Sequence, residues 1–339
     1  MPWDPRGHAG TPTLTSDVIT TSRASSPRKE CQPMAERTIY LNGDYVPESH
    51  AKVSVLDRGF RWGDAVYDAV RTFDGRPFKL HEHVERFFRS LKYARIDPGL
   101  DKKQVTDVTL EVVRRNEEMR KTDGDYLITM QASRGPVTNV YSPVAPRPTV
   151  TVYGLPLQFS VHAKYYRAGA HVVVPSIRRT PPECVSPRAK VSNKMNHFQA
   201  ELEVRALDPE AFALMLDVDG YIAESTGADF LFVSDGILRI PQRRTHLTGV
   251  SLLTAAELAE KLGIATDEGA YTLFDLYNAE EAMLTASTYC LLPVVRVNGL
   301  PLGEGKPGPV VAKLLEAWSE MVGVDIVGQA FRHTAGRSA

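Results

Sequence analysis

Apolar positions are sparse and aperiodic over the first 36 or so residues, and they become periodic from "RTIYLNGDYVP" onward. Asn42-Gly43 separates two short strand-like runs, the dipeptide suited to a two-residue hairpin. Asp74-Gly75 marks a second turn inside "AVYDAVRTFDGRPFKL". Val84, Phe87, Phe88 and Leu91 then recur at helical spacing, and a further helix covers about residues 102–117. Strands follow near 125–133 and 147–155, with Pro143, Pro146 and Pro148 in the loop between. The second half repeats the short-strand texture through "EAFALMLDVDGYIAESTGADFLFVSDGILRIP", with turns at Asp219-Gly220 and Asp235-Gly236. Helices are expected after Lys190, burying Phe198 and Leu202, from Gly249 through "GVSLLTAAELAEKLG", and near 308–322. Strands and helices are segregated rather than strictly alternating, which predicts an α+β fold in two lobes.

Composition narrows this picture. A chain of 339 residues with 43% apolar residues can bury a sizeable core, and a net charge of -1 gives no footprint for nucleic acid or an acidic membrane. No apolar run reaches the ~20 residues that span a bilayer. Cys31, Cys184 and Cys290 show no paired or metal-ligand spacing and read as free thiols or core residues, so no metal site is expected and a cytoplasmic setting fits. Residues 1–36, rich in Pro, Ser, Thr and Arg, are expected to be a disordered extension, with Met34 as an alternative start. The remaining expectation is a small α+β domain over 37–155, a linker over 156–163, a larger domain over 164–330 and a flexible tail over 331–339.

Candidate chemistry centres on "SPRAKVSNKMNHFQAELEV". Lys190 and Lys194 stand four residues apart at a strand-to-helix junction. A lysine there is either a solvated charge or an amine whose lowered pKa makes it a nucleophile. Lys190 lies between a small and a β-branched residue; Lys194 lies among polar residues and is expected to be exposed. Glu224 in "DGYIAESTGADF" is either a turn-capping carboxylate or the partner of a protonated heterocyclic nitrogen. Thr248, Gly249, Val250 and Ser251 open a helix, whose free amides and dipole favour an anion. Thr285, Ser287 and Thr288 add hydroxyls, and Arg86 adds either a fixed positive charge or a surface one.

Together, and in this order, these segments resemble the fold type IV (class IV) pyridoxal phosphate aminotransferases, a group holding branched-chain, D-amino acid and (R)-amine transaminases. The likeness runs from about Ile39 to Met321 and rests on "LNGDYVP", "VLDRGFRWGDAVYDAVRTFDGRPFKLHEHVERFFRS", "AKVSN", "LDVDGYIAEST", "VSDGILRIP", "LTGVS" and "GEGKPGPV". It implies a two-lobed fold with the cofactor, pyridoxal 5'-phosphate, in a cleft between the lobes. It implies ping-pong transfer of an amino group from a small-molecule amine or amino acid to a keto acid, in a homodimer. Lys190 matches the lysine that holds the cofactor and then serves as general base, and Glu203 matches the glutamate that closes the same helix pattern. Glu224 matches the acid that pairs with the ring nitrogen. Arg86, Val250, Ser251, Ser287 and Thr288 match the phosphate contacts, and Asn193 and Tyr67 match pocket-lining positions. Lys194 has no counterpart.

The donor is less sharply marked. The D-amino acid enzymes resemble "TRGTSPRxH" in the loop after the strand, where this chain has "SRGPVTNVYS", with Asn139 and Tyr141 at the positions of the Arg and the His. The branched-chain enzymes carry an arginine two residues after a tyrosine; here Ile128 follows Tyr126. Arg71 matches a basic position of the branched-chain group, Trp62 occupies a pocket position, and Arg134 could meet a carboxylate. With both carboxylate traps altered, an (R)-amine donor is favoured over a branched-chain or D-amino acid one. An aminodeoxychorismate lyase-like activity is the remaining alternative.

Overall fold

The structure is a computed structural model, and it describes residues 36–139 and 147–335. The chain opens with β1 (Thr38–Leu41), β2 (Asp44–Pro47), α1 (Arg58–Trp62), β3 (Ala65–Phe73), β4 (Arg76–Pro77) and α2 (Leu80–Ala94). It continues through α3 (Lys102–Arg115), α4 (Glu117–Asp123), β5 (Tyr126–Ser133) and β6 (Thr149–Pro156). These strands form a six-stranded sheet in the order β2-β1-β6-β5-β3-β4. The hairpin prediction holds for a steric reason: Asn42, Asp74 and Asp235 all take positive φ, each followed by a glycine that does so as well. α2 buries Val84, Phe87 and Leu91 against Val66, Val70 and Ile128 of the sheet, with Phe88 partly covered.

The second lobe contains α5 (Phe159–His162), α6 (Tyr165–Ala168), β7 (Ala170–Val173), α7 (Met195–Leu207), β8 (Phe212–Leu216), β9 (Ile222–Ser225), β10 (Asp229–Ser234) and β11 (Ile237–Pro241). It ends with α8 (Val250–Lys261), β12 (Thr266–Gly269), α9 (Leu273–Tyr277), β13 (Glu281–Ala286), β14 (Cys290–Val297), β15 (Leu300–Pro301), α10 (Pro309–Val322) and α11 (Ile326–Ala335). Its nine strands form a mixed sheet: β14-β7, β7-β8 and β11-β12 run parallel, and the other pairs run antiparallel. The two-lobed α+β expectation is met. Buried Phe230, Phe232, Leu284, Leu292 and Trp318 centre the larger core.

Two boundaries differ from the sequence expectation. The segment 156–163 contains α5, whose Phe159 is buried in the larger core, so it is more than a linker. α11 runs on to Ala335 because its end is held: Phe331 lies 4.1 Å under the Arg167 guanidinium and the His333 ring stacks 4.8 Å from Phe159. The extension before Glu36 lies outside the described residues.

α7 also corrects the sequence reading. Phe198 and Leu202 are 58% and 61% exposed, whereas His197, Ala200 and Val204 are buried. The inward stripe packs on Val173, Ala213 and Met215, and His197 turns inward because its Nε2 meets Glu224. Glu203 ties this helix to the preceding loop by accepting from Ser176 N at 2.7 Å and Ser176 Oγ at 2.9 Å.

Asp125 joins the two lobes. Its buried carboxylate accepts from Thr72 Oγ1 (2.7 Å), the amides of Asp74 and Gly75 (both 3.0 Å) and Gln329 Nε2 of α11 (2.8 Å). Asp125→Ala would leave these donors unpaired and is expected to cost roughly 2–4 kcal/mol. A denaturant melt showing no loss of stability would contradict this role.

Candidate active site

β3 organises the site from both faces. Its outward neighbour along one edge is the Lys190 segment: Tyr67 N donates to Lys190 O (3.0 Å) and Ser192 N to Ala65 O (2.9 Å), with Val66 bridging Val191. A side-chain bond adds to this, since Lys190 N donates to Ser90 Oγ of α2 at 3.0 Å. The Lys190 side chain then lies in a cavity with its Nζ 4.8 Å from the Tyr67 ring centroid.

On the other side of β3, Asp68 is fully buried and receives Arg86 twice, from Nε at 2.8 Å and Nη2 at 2.9 Å. His83 Nδ1 stands 2.7 Å from the same carboxylate. His83, Arg86 and Ser90 follow one another on one helical face. Burial alone would raise the Asp68 pKa, but Arg86 and His83 hold it well below the usual carboxylate range. Arg86 Nη1 makes no hydrogen bond to the described residues, and Arg86 lines the cavity.

The larger lobe supplies two further groups. Glu224, 5% exposed on β9, accepts from Arg179 Nε at 2.6 Å and Leu247 N at 3.0 Å, and lies 3.4 Å from His197 Nε2. Burial would raise its pKa, yet the His197 hydrogen bond and the Arg179 charge bring it well below the usual range, so the carboxylate stays ionised. At the start of α8, Gly249 N donates to Asp229 Oδ2 at 2.9 Å, and a Cβ on Gly249 would come within 2.1 Å of that oxygen. Thr248 precedes it at φ 60, a rare conformation for a β-branched residue, and its buried Oγ1 has no partner among the described residues. The turn aims the free first-turn amides of α8 at the cavity, beside Ser287.

The structure therefore brings Lys190, Arg86, Tyr67, Glu224, Val250, Ser251 and Ser287 into one cavity. Thr288 faces an adjoining cavity, and its carbonyl accepts from Arg71. Asn193 is exposed, its Oδ1 accepting from Met195 N at 3.4 Å.

The substrate-side candidates lie elsewhere. Arg71 is buried between the lobes, donating to Thr288 O, Gln329 Oε1 and Thr72 O while covering the Phe73 ring at 3.9 Å. Arg134 is committed to Asp64 (2.8 and 3.0 Å) and to the carbonyls of Ala94 and Arg95 at the end of α2. Tyr126 is a core residue whose hydroxyl meets Asp123 at 3.1 Å. Trp62 is 44% exposed, with the guanidiniums of Arg61 and Arg58 4.2 and 5.1 Å from its ring centroid. Tyr141 lies outside the described residues.

One expectation is reversed. Lys194 is not a solvated charge: it lines the same cavity as Lys190, because α7 begins immediately after it and turns its side chain inward with His197. Sequence reading also missed Asp68, Arg179, Asp229 and His246. Asp68 had a usable signal, a carboxylate in the inward register of β3 between Val66 and Val70. Arg179 and His246 had none, since their partners lie far along the chain.

Residues 65–297 match the profile of amino-transferase class IV. A Methanocaldococcus jannaschii protein assigned as a branched-chain-amino-acid aminotransferase is 32% identical over 84% of this chain and 96% of its own. The chain belongs to the class IV aminotransferases. D-alanine aminotransferase of Bacillus licheniformis is 25% identical over 82% of this chain and 95% of its own length. The solved T.th. branched-chain amino acid aminotransferase with pyridoxamine 5'-phosphate superposes with a TM-score of 0.77 at 28% identity, covering 89% of this chain and 97% of that one. The cofactor of this class IV aminotransferase is pyridoxal 5'-phosphate. The cavity suits it: Arg86, the first residues of α8 and the ionised Glu224 carboxylate all line it. Among the described residues no helix is long and apolar enough to cross a membrane.

Burial, reinforced by Arg86, lowers the Lys190 pKa to about 8, against the opposing pull of Asp68, Glu224 and Asp229. The neutral amine is the nucleophile, so covalent capture of an aldehyde by the cofactor-free enzyme should accelerate as pH rises through about 8 and level off above it. Borohydride trapping followed by peptide mapping gives the rate at Lys190. A rate still climbing steeply toward pH 10 would mark an ordinary lysine.

Proposed function

We propose that Lys190 is the lysine that holds the cofactor and moves the proton, and that the enzyme transfers amino groups between aliphatic amino acids and 2-oxo acids. The observation that carries the first part is the meeting of Lys190, the ionised Glu224 and the start of α8 in one cavity. The donor assignment is supported by the branched-chain relatives.

Pyridoxal phosphate supplies a carbonyl that takes up the amino group and a ring that stores the electron pair of the broken C–H bond. The chain does the rest. Val250 and Ser251 amides, the Ser287 hydroxyl and the Arg86 guanidinium hold the phosphate, where helix dipole and fixed charge act together. Glu224, oriented by Arg179 and Leu247 N, keeps a proton on the ring nitrogen. Tyr67 packs its ring against the Lys190 side chain and limits where the amine can swing. Lys190, with a pKa near working pH once free, takes the proton from the donor's α-carbon and returns it on the other side of the transferred nitrogen.

A second donor reading keeps the (R)-amine expectation. It is supported by Arg71 and Arg134, whose guanidiniums are engaged by protein partners and leave no arginine fork for a donor carboxylate at those positions. A homodimer belongs to the same proposal, supported by Phe60, Phe198 and Leu202, apolar side chains left exposed on α1 and α7.

L-Leucine, D-alanine and (R)-1-phenylethylamine, each paired with pyruvate and with 2-oxoglutarate, separate the readings. The proposal expects parallel double-reciprocal lines and the highest kcat/KM with L-leucine. Faster turnover of (R)-1-phenylethylamine would overturn the donor assignment in favour of the second reading. Lys190→Ala should lower kcat by a factor of roughly a thousand or more, and a near-normal rate would remove Lys190 from the chemistry.

A further inference from the structure

A second lysine in the cavity is not absorbed by the reaction as described. Lys194 is the residue just before α7, and its side chain lines the cavity with Lys190, Tyr67, His197 and Glu224. Its ammonium has no hydrogen-bond or ion-pair partner among the described residues, whereas Arg86 and Arg179 are each held by a carboxylate. A partly buried ammonium without a partner is costly unless a ligand supplies one.

Its position along the cavity identifies which part of the ligand that is. The charged and titratable groups acting most on Lys194 are Tyr67 of β3, Lys190, Glu224 of β9 and Arg179. The segment from Lys190 runs antiparallel to β3, with Lys190 O at Tyr67 N, Val191 opposite Val66, Ser192 N at Ala65 O and Asn193 beside Gly63. Each step from Lys190 to Lys194 leads back along β3, away from Asp68 and the Arg86 that it holds. Lys194 therefore enters the cavity on the side of Lys190 away from the Arg86 end, where the phosphate would sit. The cofactor ring has a fixed order of substituents. The ring nitrogen lies opposite the carbon that carries the reactive carbonyl. That carbon has the phosphate arm on one neighbour and the ring hydroxyl on the other. With the nitrogen at Glu224, the carbonyl carbon at Lys190 and the arm at α8, the hydroxyl faces the side where Lys194 stands.

We propose that Lys194 is a cofactor-binding residue that holds the ring oxygen of pyridoxal phosphate in its ionised form. This rests on Lys190 being the covalent lysine. The physical consequence is electrostatic. An ammonium at the ring oxygen stabilises the oxyanion and repels a proton on the adjacent nitrogen that Lys190 contributes. His197, whose pKa burial lowers, adds no second positive charge at neutral pH, and Asp68 and Asp229 are engaged by Arg86 and His246.

The experiment is a pH titration of the visible absorbance of the resting holoenzyme, for the wild type, Lys194→Gln and Lys194→Arg. Removing the cation should let the adjacent nitrogen keep its proton to higher pH. The titration midpoint of Lys194→Gln is therefore expected about one pH unit or more above the wild type. Lys194→Arg, which keeps the charge, should stay near the wild type. Midpoints that coincide for all three proteins would overturn the proposal. So would an unmoved midpoint accompanied by a raised KM for amino acid donors alone, which would make Lys194 a donor-carboxylate residue. Borohydride reduction and peptide mapping of the wild type separate this from the reading beneath it. Label on Lys190 preserves the covalent assignment whatever the titration shows, and label on Lys194 would overturn both.

Discussion

The site depends on one short stretch of backbone pairing. Lys190 belongs to the segment leading into α7 of the larger lobe, yet its carbonyl and the Ser192 amide pair with β3 of the smaller one. Ser90 of α2 fixes the Lys190 amide as well. β4 pairs with Thr72 and Phe73 further along the same β3 edge, and the Ala69 amide between the two pairings donates to Asp68 Oδ1. Lysine position is thus set by the smaller lobe, while Glu224 and the α8 amides are set by the larger. Any shift of one lobe against the other would move the amine relative to the groups it must serve. Arg71 and Asp125 resist such a shift from a second place, through Thr288, Gln329 and the turn at Asp74-Gly75.

Charge in the cavity is arranged by pairing rather than by neutralisation. Arg86 is anchored on Asp68 through Nε and Nη2, which leaves its remaining nitrogen for a ligand. Glu224 is anchored by Arg179 and a backbone amide, which keeps it ionised in a buried place where an isolated carboxylate would take up a proton. Asp229 braces the α8 entrance and is itself met by His246, whose pKa rises beside it despite burial. Arg86, Glu224 and Asp229 are therefore each fixed by a group on a neighbouring element. Such preorganisation lets a phosphate and a protonated ring nitrogen be received without the protein having to rearrange.

The parts of this design that were legible in the sequence are those decided locally. Asn42-Gly43, Asp74-Gly75 and Asp235-Gly236 announce turns because the backbone there must take positive φ. The α2 stripe at Val84, Phe87 and Leu91 is a matter of helical period, and Gly249 before Val250 marks a helix start. The family likeness brought Lys190, Glu224 and Arg86 to attention, and all three line one cavity. What was not legible depends on distant partners. Arg71 meets Thr288 and Gln329, and Arg134 meets Asp64 and the end of α2, so both guanidiniums serve the scaffold instead of a pocket. The inward face of α7 was misjudged because Phe198 outweighs His197 in any hydrophobic count, while Glu224, from another strand, draws the histidine inward.

The two lysines of this junction illustrate how backbone geometry distributes chemistry. Lys190 is held extended along β3, and Lys194 stands at the turn into α7, so neighbouring positions deliver two amines to one cavity from different backbone settings. Both are lowered chiefly by burial, and the charged form of Lys194 is further disfavoured by Lys190. Two ammoniums so placed cannot both be comfortable in an empty site. The arrangement becomes favourable when one amine is consumed in a covalent bond and the other faces an oxyanion, and a ring that carries a carbonyl next to an ionisable hydroxyl offers both at once. A single lysine with an uncharged neighbour would hold the same cofactor, but without the second cation the proton on the linking nitrogen would be retained more tightly.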